Sequence, residues 1–176
     1  MQSPMNDDSS FEDPYLKKSF VLMIEEKYRQ WDVIAKSGYG YIALSHDALF
    51  RMAFGSTDKW KDAYCRSYLY DVWLAPIKTA LSLKNVPEEE LLDYQTERSL
   101  DKLFLLSKSE FCDWRANIPN KTLPYWLRSP YGHLHTPYNW VVDVSGHLIG
   151  DVVHNATNGI VPAIYLSKKA IRILLF

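Results

Sequence analysis

One arginine stands in an apolar context where its charge needs fixed partners. Arg128 lies in the run Trp126-Leu-Arg-Ser-Pro130, which has the composition of a β-strand. An unpaired buried cation is very costly, so we expect Asp143 or a row of backbone carbonyls to accept its hydrogen bonds. A structural guanidinium that holds loops to a sheet is preferred to one that binds a ligand carboxylate or phosphate.

Two histidines have the spacing of side chains on one face of a strand. His133 and His135 alternate, so both could ligate a metal, with His147, His154 or Asp151 as further ligands. A metal site needs three or four converging ligands, and the histidines lack zinc-protease or cupin-like spacing. An exposed loop is therefore preferred, and no metal or other cofactor is predicted.

The two cysteines give no sign of catalysis or of zinc binding. Cys65 and Cys112 form no CxxC or Cys/His pattern, and both are expected to be small buried side chains without a disulfide. Nucleophilic catalysis needs a Ser or Cys beside a His and an orienting acid, and no local motif marks one.

Residues 131–158 combine Tyr, Trp, His and Asn with turns, a composition typical of an adaptable recognition surface. Trp140, Val142 and Val144 are assigned to one face of a strand instead. The predicted binding surface consists of the remaining aromatic and polar side chains of the first loop: Tyr131, His133, His135, Tyr138 and Asn139.

The length, composition and charge of the chain limit the number of domains and the classes of ligand. The 176 residues fit one domain, with 47% apolar and 14% aromatic residues, and the 20 basic residues against 21 acidic ones argue against nucleic-acid binding. Residues 1–14 are predicted to be a disordered acidic tail and 15–176 a single globular domain. The sequence lacks a secretory signal and any long apolar run, so a cytoplasmic protein with no membrane segment is expected.

The first elements to position the candidates are a hairpin and two helices. Residues 28–45 predict a β-hairpin that turns at 37–40. A helix is predicted over 58–81 with Asp58 as N-cap and Pro76 as a kink or end, followed by a second helix that starts at Pro87. The expected core residues of the hairpin are Trp31, Val33, Ile42 and Leu44.

The second half is predicted to be mostly strand. Residues 103–107 predict a buried strand, and Ser107 with Glu110 has the form of a capping box. Turns are expected at 145–146 and 158–159, and the basic, amphipathic C-terminal residues 168–176 are expected to pack onto the core. Further strands are predicted at 125–129, 140–144, 147–153 and 160–166. Helices in the middle with strands at both ends predict an α+β fold.

Three ordered motifs resemble a family of bacterial and phage domains of unknown function. The segments DKLFLLSKSE (101–110), YWLRSP (125–130) and GIVPAIYL (159–166) are similar to the family's DKVFLLSxxE, WWLRSPG and GVRPALWL. The segment CRSYL (65–69) resembles its LRxWL helix. The chain departs from the family at Val161, where the family has Arg, and at Tyr131, where it has Gly.

This family is similar to the C-type-lectin-like and formylglycine-generating-enzyme superfold, which implies two helices with an irregular, mostly antiparallel sheet. It also implies a structural role for its motif residues, which are Arg128, Trp126, Glu110 and Arg66. Formylglycine-generating enzymes use paired cysteines near the C-terminal end of the fold. This chain has none after Cys112, which argues against that activity.

The sequence therefore predicts a non-enzymatic recognition module that binds another protein. It would be a bacterial or phage accessory protein that acts on a host protein, in the host cytoplasm if phage-encoded. Glycan binding ranks below protein binding because the loops carry no EPN or QPD calcium motif. An enzyme of unrecognised type and a structural or assembly component of a virion remain as alternatives.

Overall fold

The computed structural model describes residues 12–132 and 135–176. They form a mixed α+β structure with curled, mostly antiparallel sheets, as predicted. The strands are β1 Ser19–Ile24, β2 Lys27–Ser37, β3 Gly40–Ser45, β4 Phe50–Arg51, β5 Leu91–Leu92, β6 Tyr94–Gln95, β7 Leu100–Asp101, β8 Tyr125–Pro130, β9 Tyr138–Val142, β10 Leu148–Val152, β11 Gly159–Ile160 and β12 Ala163–Ser167. The helices are α1 Tyr64–Tyr68, α2 Leu74–Leu83, α3 Lys108–Trp114 and α4 Lys168–Leu175.

The first sheet has the order β1-β2-β3-β12-β5 and contains the predicted hairpin. Strands β2 and β3 pair antiparallel, and Gly38 takes a φ of +56° in their turn, a conformation that glycine adopts without a Cβ penalty. The predicted core residues of the hairpin are all buried, namely Trp31, Val33, Ile42 and Leu44. Strand β12 lies between β3 and β5, so the C-terminal segment supplies an inner strand of this sheet.

The second sheet has the order β10-β9-β8-β11-β4, and its pairings are antiparallel except for β8 with β11. The strand predicted over 160–166 is in fact two strands, β11 and β12, which belong to different sheets. The break falls at Val161-Pro162, because Pro162 has no N–H to donate to a ladder. Gly146 occupies the predicted turn, whereas Gly159 lies in β11 against Ala48 rather than in a turn.

The helical prediction over 58–81 was right in place but wrong at its start, and of the two alternatives for Pro76, a kink or an end, the end is excluded. A 3₁₀ turn at Trp60–Asp62 precedes α1, and Ala63 occupies the N-cap of α1 in place of Asp58. Pro76 does not end the helix, because it lies in the first turn of α2, directly after a π-helical segment at Leu69–Trp73.

Two further element predictions were wrong. The segment after Pro87 forms only a 3₁₀ turn at Glu88–Glu90, because the leucines that follow pair with β12 as the edge strand β5. The apolar run 103–107 is buried but makes only a single bridge, between Phe104 and Ala163.

Both ends of the described chain pack against the body. Asp13, within the predicted tail, accepts hydrogen bonds from the backbone N–H of Tyr15 and from the hydroxyl of Tyr41, while residues 1–11 of that tail lie outside the described residues. Helix α4 packs onto the core as predicted, with Ala170 and Ile171 buried. In the described part of the chain no helix is long and apolar enough to cross a bilayer.

The predicted capping box is present at the start of α3. The Ser107 hydroxyl accepts from the backbone N–H of Glu110 at 3.1 Å, and a Glu110 carboxylate oxygen accepts from the backbone N–H of Ser107 at 2.8 Å. Both donors at the helix start are thereby satisfied.

We expect Ser107→Ala to lower the free energy of unfolding by about 1 kcal/mol, because a helix donor loses its acceptor. Urea denaturation followed by circular dichroism measures this. Ser109→Ala, an exposed change in the same helix, is the control and should cost less than about 0.5 kcal/mol. Equal losses in both variants would contradict a stabilising role for the cap.

Candidate functional site

Arg128 lies in β8 with 4% of its surface exposed, and two glutamates share its charge. Nη1 donates to the Leu105 carbonyl at 2.7 Å and to Glu110 Oε1 at 2.5 Å, and Nη2 donates to Glu110 Oε2 at 3.2 Å. Nε donates to both carboxylate oxygens of Glu97, at 3.1 and 3.0 Å. A backbone carbonyl is thus among its partners, as one of the two sequence hypotheses proposed.

Asp143, the other partner proposed from sequence, does not pair with Arg128. Asp143 lies in the turn between β9 and β10, where its carboxylate accepts from the backbone N–H groups of Ser145 and His147. These local donors satisfy the carboxylate within its own turn, which leaves the glutamates to neutralise the arginine.

The two glutamates around Arg128 differ in exposure. The Glu110 side chain is 14% exposed and is also held by the capping box and by the hydroxyl of Tyr94. Burial alone would raise the pKa of Glu110, but the hydrogen bonds and charge of Arg128 hold it below its ordinary value. The Glu97 side chain is 57% exposed, so one of the two acidic partners of Arg128 borders solvent.

Arg128 and Glu97 line a cleft of about 410 Å³, which we call the Arg128 cleft. Three stretches of chain form its walls: residues 59–62, residues 97–99 and residues 128–130. They come from the 3₁₀ turn before α1, the loop between β6 and β7, and the end of β8. The cleft therefore exists only when three distant segments meet.

Asp101, fully buried in β7, joins two of these walls. It accepts from Trp60 Nε1 at 2.8 Å, from Arg66 Nη2 at 2.8 Å and from Thr96 Oγ1 at 2.8 Å, and the hydroxyls of Tyr70 and Ser99 also donate to it. Burial would raise the pKa of Asp101, but these donors hold it below its ordinary value. One ionised carboxylate thus positions Trp60 on one wall and the 96–99 loop on the other.

Three aromatic side chains lie next to the cleft, on the outer face of β9 and just past β8; we call them the aromatic platform. The Tyr131 ring packs edge-on against the Trp140 ring, with 4.6 Å between the ring centroids. The centroid of the Tyr131 ring lies 6.2 Å from that of the Tyr138 ring. Lys108 Nζ lies 4.1 Å above the Trp140 ring. Gly150 leaves the space that the Tyr131 ring fills, since a Cβ there would lie 2.7 Å from that ring.

The platform contains two of the five residues of the predicted binding surface. Tyr131 is 50% exposed and Tyr138 37% exposed, and His135 is exposed in the bend before β9. His133 lies outside the described residues. Asn139 is fully buried and faces the interior, because it alternates with Tyr138 along β9, so its assignment to the surface is corrected.

The other residues named from sequence have structural surroundings. Trp126 is fully buried and its Nε1 donates to the Met52 carbonyl at 2.9 Å. Cys65 is buried, and burial raises the pKa of its thiol to about 12, whereas Cys112 is exposed rather than buried as expected. Among the described residues, no group of three or more His, Cys, Asp or Glu side chains is placed to hold a metal ion.

A second cleft, of about 340 Å³, is lined by residues of β1 and β2 and by residues 116–119, and in it Asp32 and His46 form a hydrogen-bonded pair. Asp32 Oδ2 lies 2.7 Å from His46 Nδ1, and Oδ1 accepts from the Ser19 hydroxyl at 2.7 Å and from Gln30 Nε2 at 3.0 Å. Burial would raise the pKa of Asp32, but these hydrogen bonds hold it below its ordinary value. The pair is separate from the Arg128 cleft.

Lys121 is a buried cation within electrostatic reach of Asp32 and Asp47. It is 4% exposed, and its Nζ has no hydrogen-bond partner among the described residues. Burial lowers the pKa of Lys121 to about 8, and the two carboxylates offset only part of that effect.

The sequence alone did not identify the exposed cations of the cleft. It also did not identify Glu97, Asp101 or Lys121. Arg128, the partner of Glu97, is 31 positions away in sequence, and Trp60, one of the partners of Asp101, is 41 positions away, so no short motif contains both members of these pairs. Comparisons with models of protein families, with curated proteins and with solved structures found no match to this chain. The function is therefore inferred from the geometry of the site.

We expect Arg128→Met to lower the free energy of unfolding by about 3–5 kcal/mol, because it leaves the Glu110 carboxylate buried without its cation. The double variant Arg128→Met/Glu110→Gln should recover part of this loss, since the remaining side chain is neutral. Urea denaturation of both variants and of Glu110→Gln measures the coupling. A loss below about 1 kcal/mol for Arg128→Met would contradict a buried, coupled pair.

We expect Lys121→Met to stabilise the protein by up to about 3 kcal/mol at pH 7, because it removes an unpaired buried charge. Below the folded pKa of about 8 both states are protonated and the cost of burial is fully present. Between pH 8 and the ordinary value of 10.5 the folded state releases its proton first, so the native protein gains stability and the difference shrinks.

Urea denaturation of Lys121→Met at pH 7 and pH 10 measures this difference. Lys36→Met, which removes an exposed lysine, is the control and should give a small difference at both pH values. A lower stability of Lys121→Met at pH 7 would show that Lys121 has a stabilising partner.

Proposed function

We propose that this protein is a non-enzymatic recognition module that binds a segment of another protein on the aromatic platform. The observation that carries the proposal is a cluster of three rings: Tyr131 and Tyr138 face solvent, and Tyr131 packs edge-on against the partly buried Trp140. Tyrosine and tryptophan offer large contact areas with few rotatable bonds, so binding orders little that was mobile. Such rings are enriched in the energetic centres of protein interfaces.

Contacts on several sides hold the rings of the platform in place. Tyr131 is held by Trp140, by the absence of a side chain at Gly150 and by the backbone hydrogen bond from its N–H to the Tyr138 carbonyl at 2.9 Å. Lys108 covers the Trp140 ring and keeps an ammonium at the edge of the platform. A surface held in this way loses little conformational entropy on association.

The proposal includes the scaffold and the compartment. The three motifs with the family resemblance place a C-type-lectin-like arrangement first among the scaffolds, and the mixed α+β structure with curled antiparallel sheets supports it. Cys65 and Cys112 are both free thiols, which suits the reducing cytoplasm of a bacterium, or of the host if the protein is phage-encoded.

We expect Tyr131→Ala combined with Tyr138→Ala to weaken partner binding at least tenfold, because the platform loses two of its three rings. The tagged native protein captures partners from host lysate, and a partner identified by mass spectrometry is then purified and titrated against each variant by calorimetry.

The matched control is Tyr28→Ala combined with Tyr39→Ala, which removes two exposed tyrosines outside the platform. This control should change the dissociation constant less than twofold. A purified partner that binds the platform variant and the native protein equally would contradict the proposal.

A further inference from the structure

The Arg128 cleft, which adjoins the platform, has an excess of cations over anions. Its walls carry Lys59, Lys61 and Arg98, all exposed, in addition to Arg128. Within the described residues, these three side chains have no ion-pair partner within 4.0 Å, so their charge is directed to solvent or to a ligand. The acids of the cleft lining are Glu97 and Asp62.

The buried cation of the cleft has one fixed and one exchangeable acid partner. Glu110 is held by the capping box and Tyr94, and cannot leave without unmaking the start of α3. Among the described residues, Glu97 bonds only through its carboxylate to Arg128 Nε, and its side chain is 57% exposed. An incoming carboxylate that takes over the Nε–H bond would replace one charge-assisted hydrogen bond with another, so the exchange costs little.

The cleft also offers a hydroxyl to a carboxylate ligand. Ser129 Oγ accepts from the backbone N–H of Lys108 at 2.9 Å, which leaves its own proton for donation. Ser129 and Pro130 line the cleft and Tyr131 follows them directly, so the cleft and the platform are joined by consecutive residues. A volume of about 410 Å³ admits a side chain of a partner segment rather than a folded element.

We propose that the Arg128 cleft binds an aspartate or glutamate side chain of the partner segment, and that this carboxylate displaces Glu97 from Arg128 Nε. Lys59, Lys61 and Arg98 attract the acidic segment at a distance. This inference rests on the proposed function, because it names the chemistry of the segment that lies on the platform.

The probes are a hexaglutamate peptide and a neutral hexaglutamine peptide, titrated separately at 50 mM salt. The Nε–H resonance of Arg128 in ¹⁵N nuclear magnetic resonance reports the exchange directly. We expect a saturable shift with hexaglutamate and none with hexaglutamine. Absence of a shift with hexaglutamate, or an equal shift with both peptides, would overturn the inference. Saturation by inorganic phosphate without saturation by hexaglutamate would also overturn it.

Charge variants test the displacement itself. Glu97→Gln removes the competing charge and should tighten hexaglutamate binding at least fivefold, whereas the same change at exposed Glu89, which lies outside the cleft lining, should alter it less than twofold. Binding that weakens in Glu97→Gln would overturn the displacement.

The cationic walls are tested by Lys59→Ala combined with Lys61→Ala, which should weaken hexaglutamate binding at least fivefold. Lys168→Ala combined with Lys169→Ala removes the same charge from exposed positions on α4 and should alter it less than twofold. Equal weakening by both pairs would reduce the effect to net charge and overturn the site. Circular dichroism melts confirm that the variants are folded.

These titrations separate the cleft from the platform. If Glu97→Gln and the lysine variants behave as expected while the platform variant keeps its partner, the proposed function fails and the carboxylate site stands. If the platform variant loses its partner but hexaglutamate does not shift Arg128, the recognition function stands and the carboxylate site fails.

Discussion

The buried charge of Arg128 is the constraint around which the site is organised. A guanidinium is always ionised in a protein, so a fold that buries one has to bring acceptors to it from several directions. Here they come from the Leu105 carbonyl, from Glu110 at the start of α3 and from Glu97 in the loop between β6 and β7. The same carboxylate that neutralises the arginine also caps the helix, so helix formation and charge burial depend on one side chain.

Asp101 performs a related task where two walls of the cleft meet. Its donors belong to five residues, which come from the 3₁₀ turn before α1, from the helical segment that follows and from the loop before β7. Both acid clusters therefore add side-chain cross-links between segments of the chain that lie far apart in sequence. Together they position the walls of the cleft, two of which carry its exposed cations, and the aromatic platform begins at the residue that follows the third. A buried charge that has partners on several segments specifies their relative positions as well as their proximity.

The C-terminal segment connects the two sheets. At Val161-Pro162 the C-terminal segment leaves the second sheet and enters the first, where β12 becomes a central strand between β3 and β5. The hairpin of the N-terminal half is thus completed by residues more than a hundred positions away. Lys121 differs from the other charged side chains that are buried in the described ranges, since its ammonium lies near two carboxylates without a hydrogen bond to either.

Local chemistry in the sequence was sufficient for the hairpin, the capping box, the apolar pattern of the core and the α+β class. Each follows from neighbours within a few positions: Ser107 and Glu110 cap a helix in any context that permits one, and alternation around a glycine turn makes a hairpin. The same reasoning placed Asn139 on the surface, which was wrong because strand register turns it inward. It also left two alternatives for Arg128, Asp143 or backbone carbonyls, and only a backbone carbonyl is a partner, because Asp143 is held by donors of its own turn. The partner of Arg128, the walls of the cleft and the edge strand after Pro87 depend on contacts between residues far apart in the chain. Only the tertiary structure decides these, because the free energy of a buried ion pair depends on distance in space, which no spacing along the chain encodes.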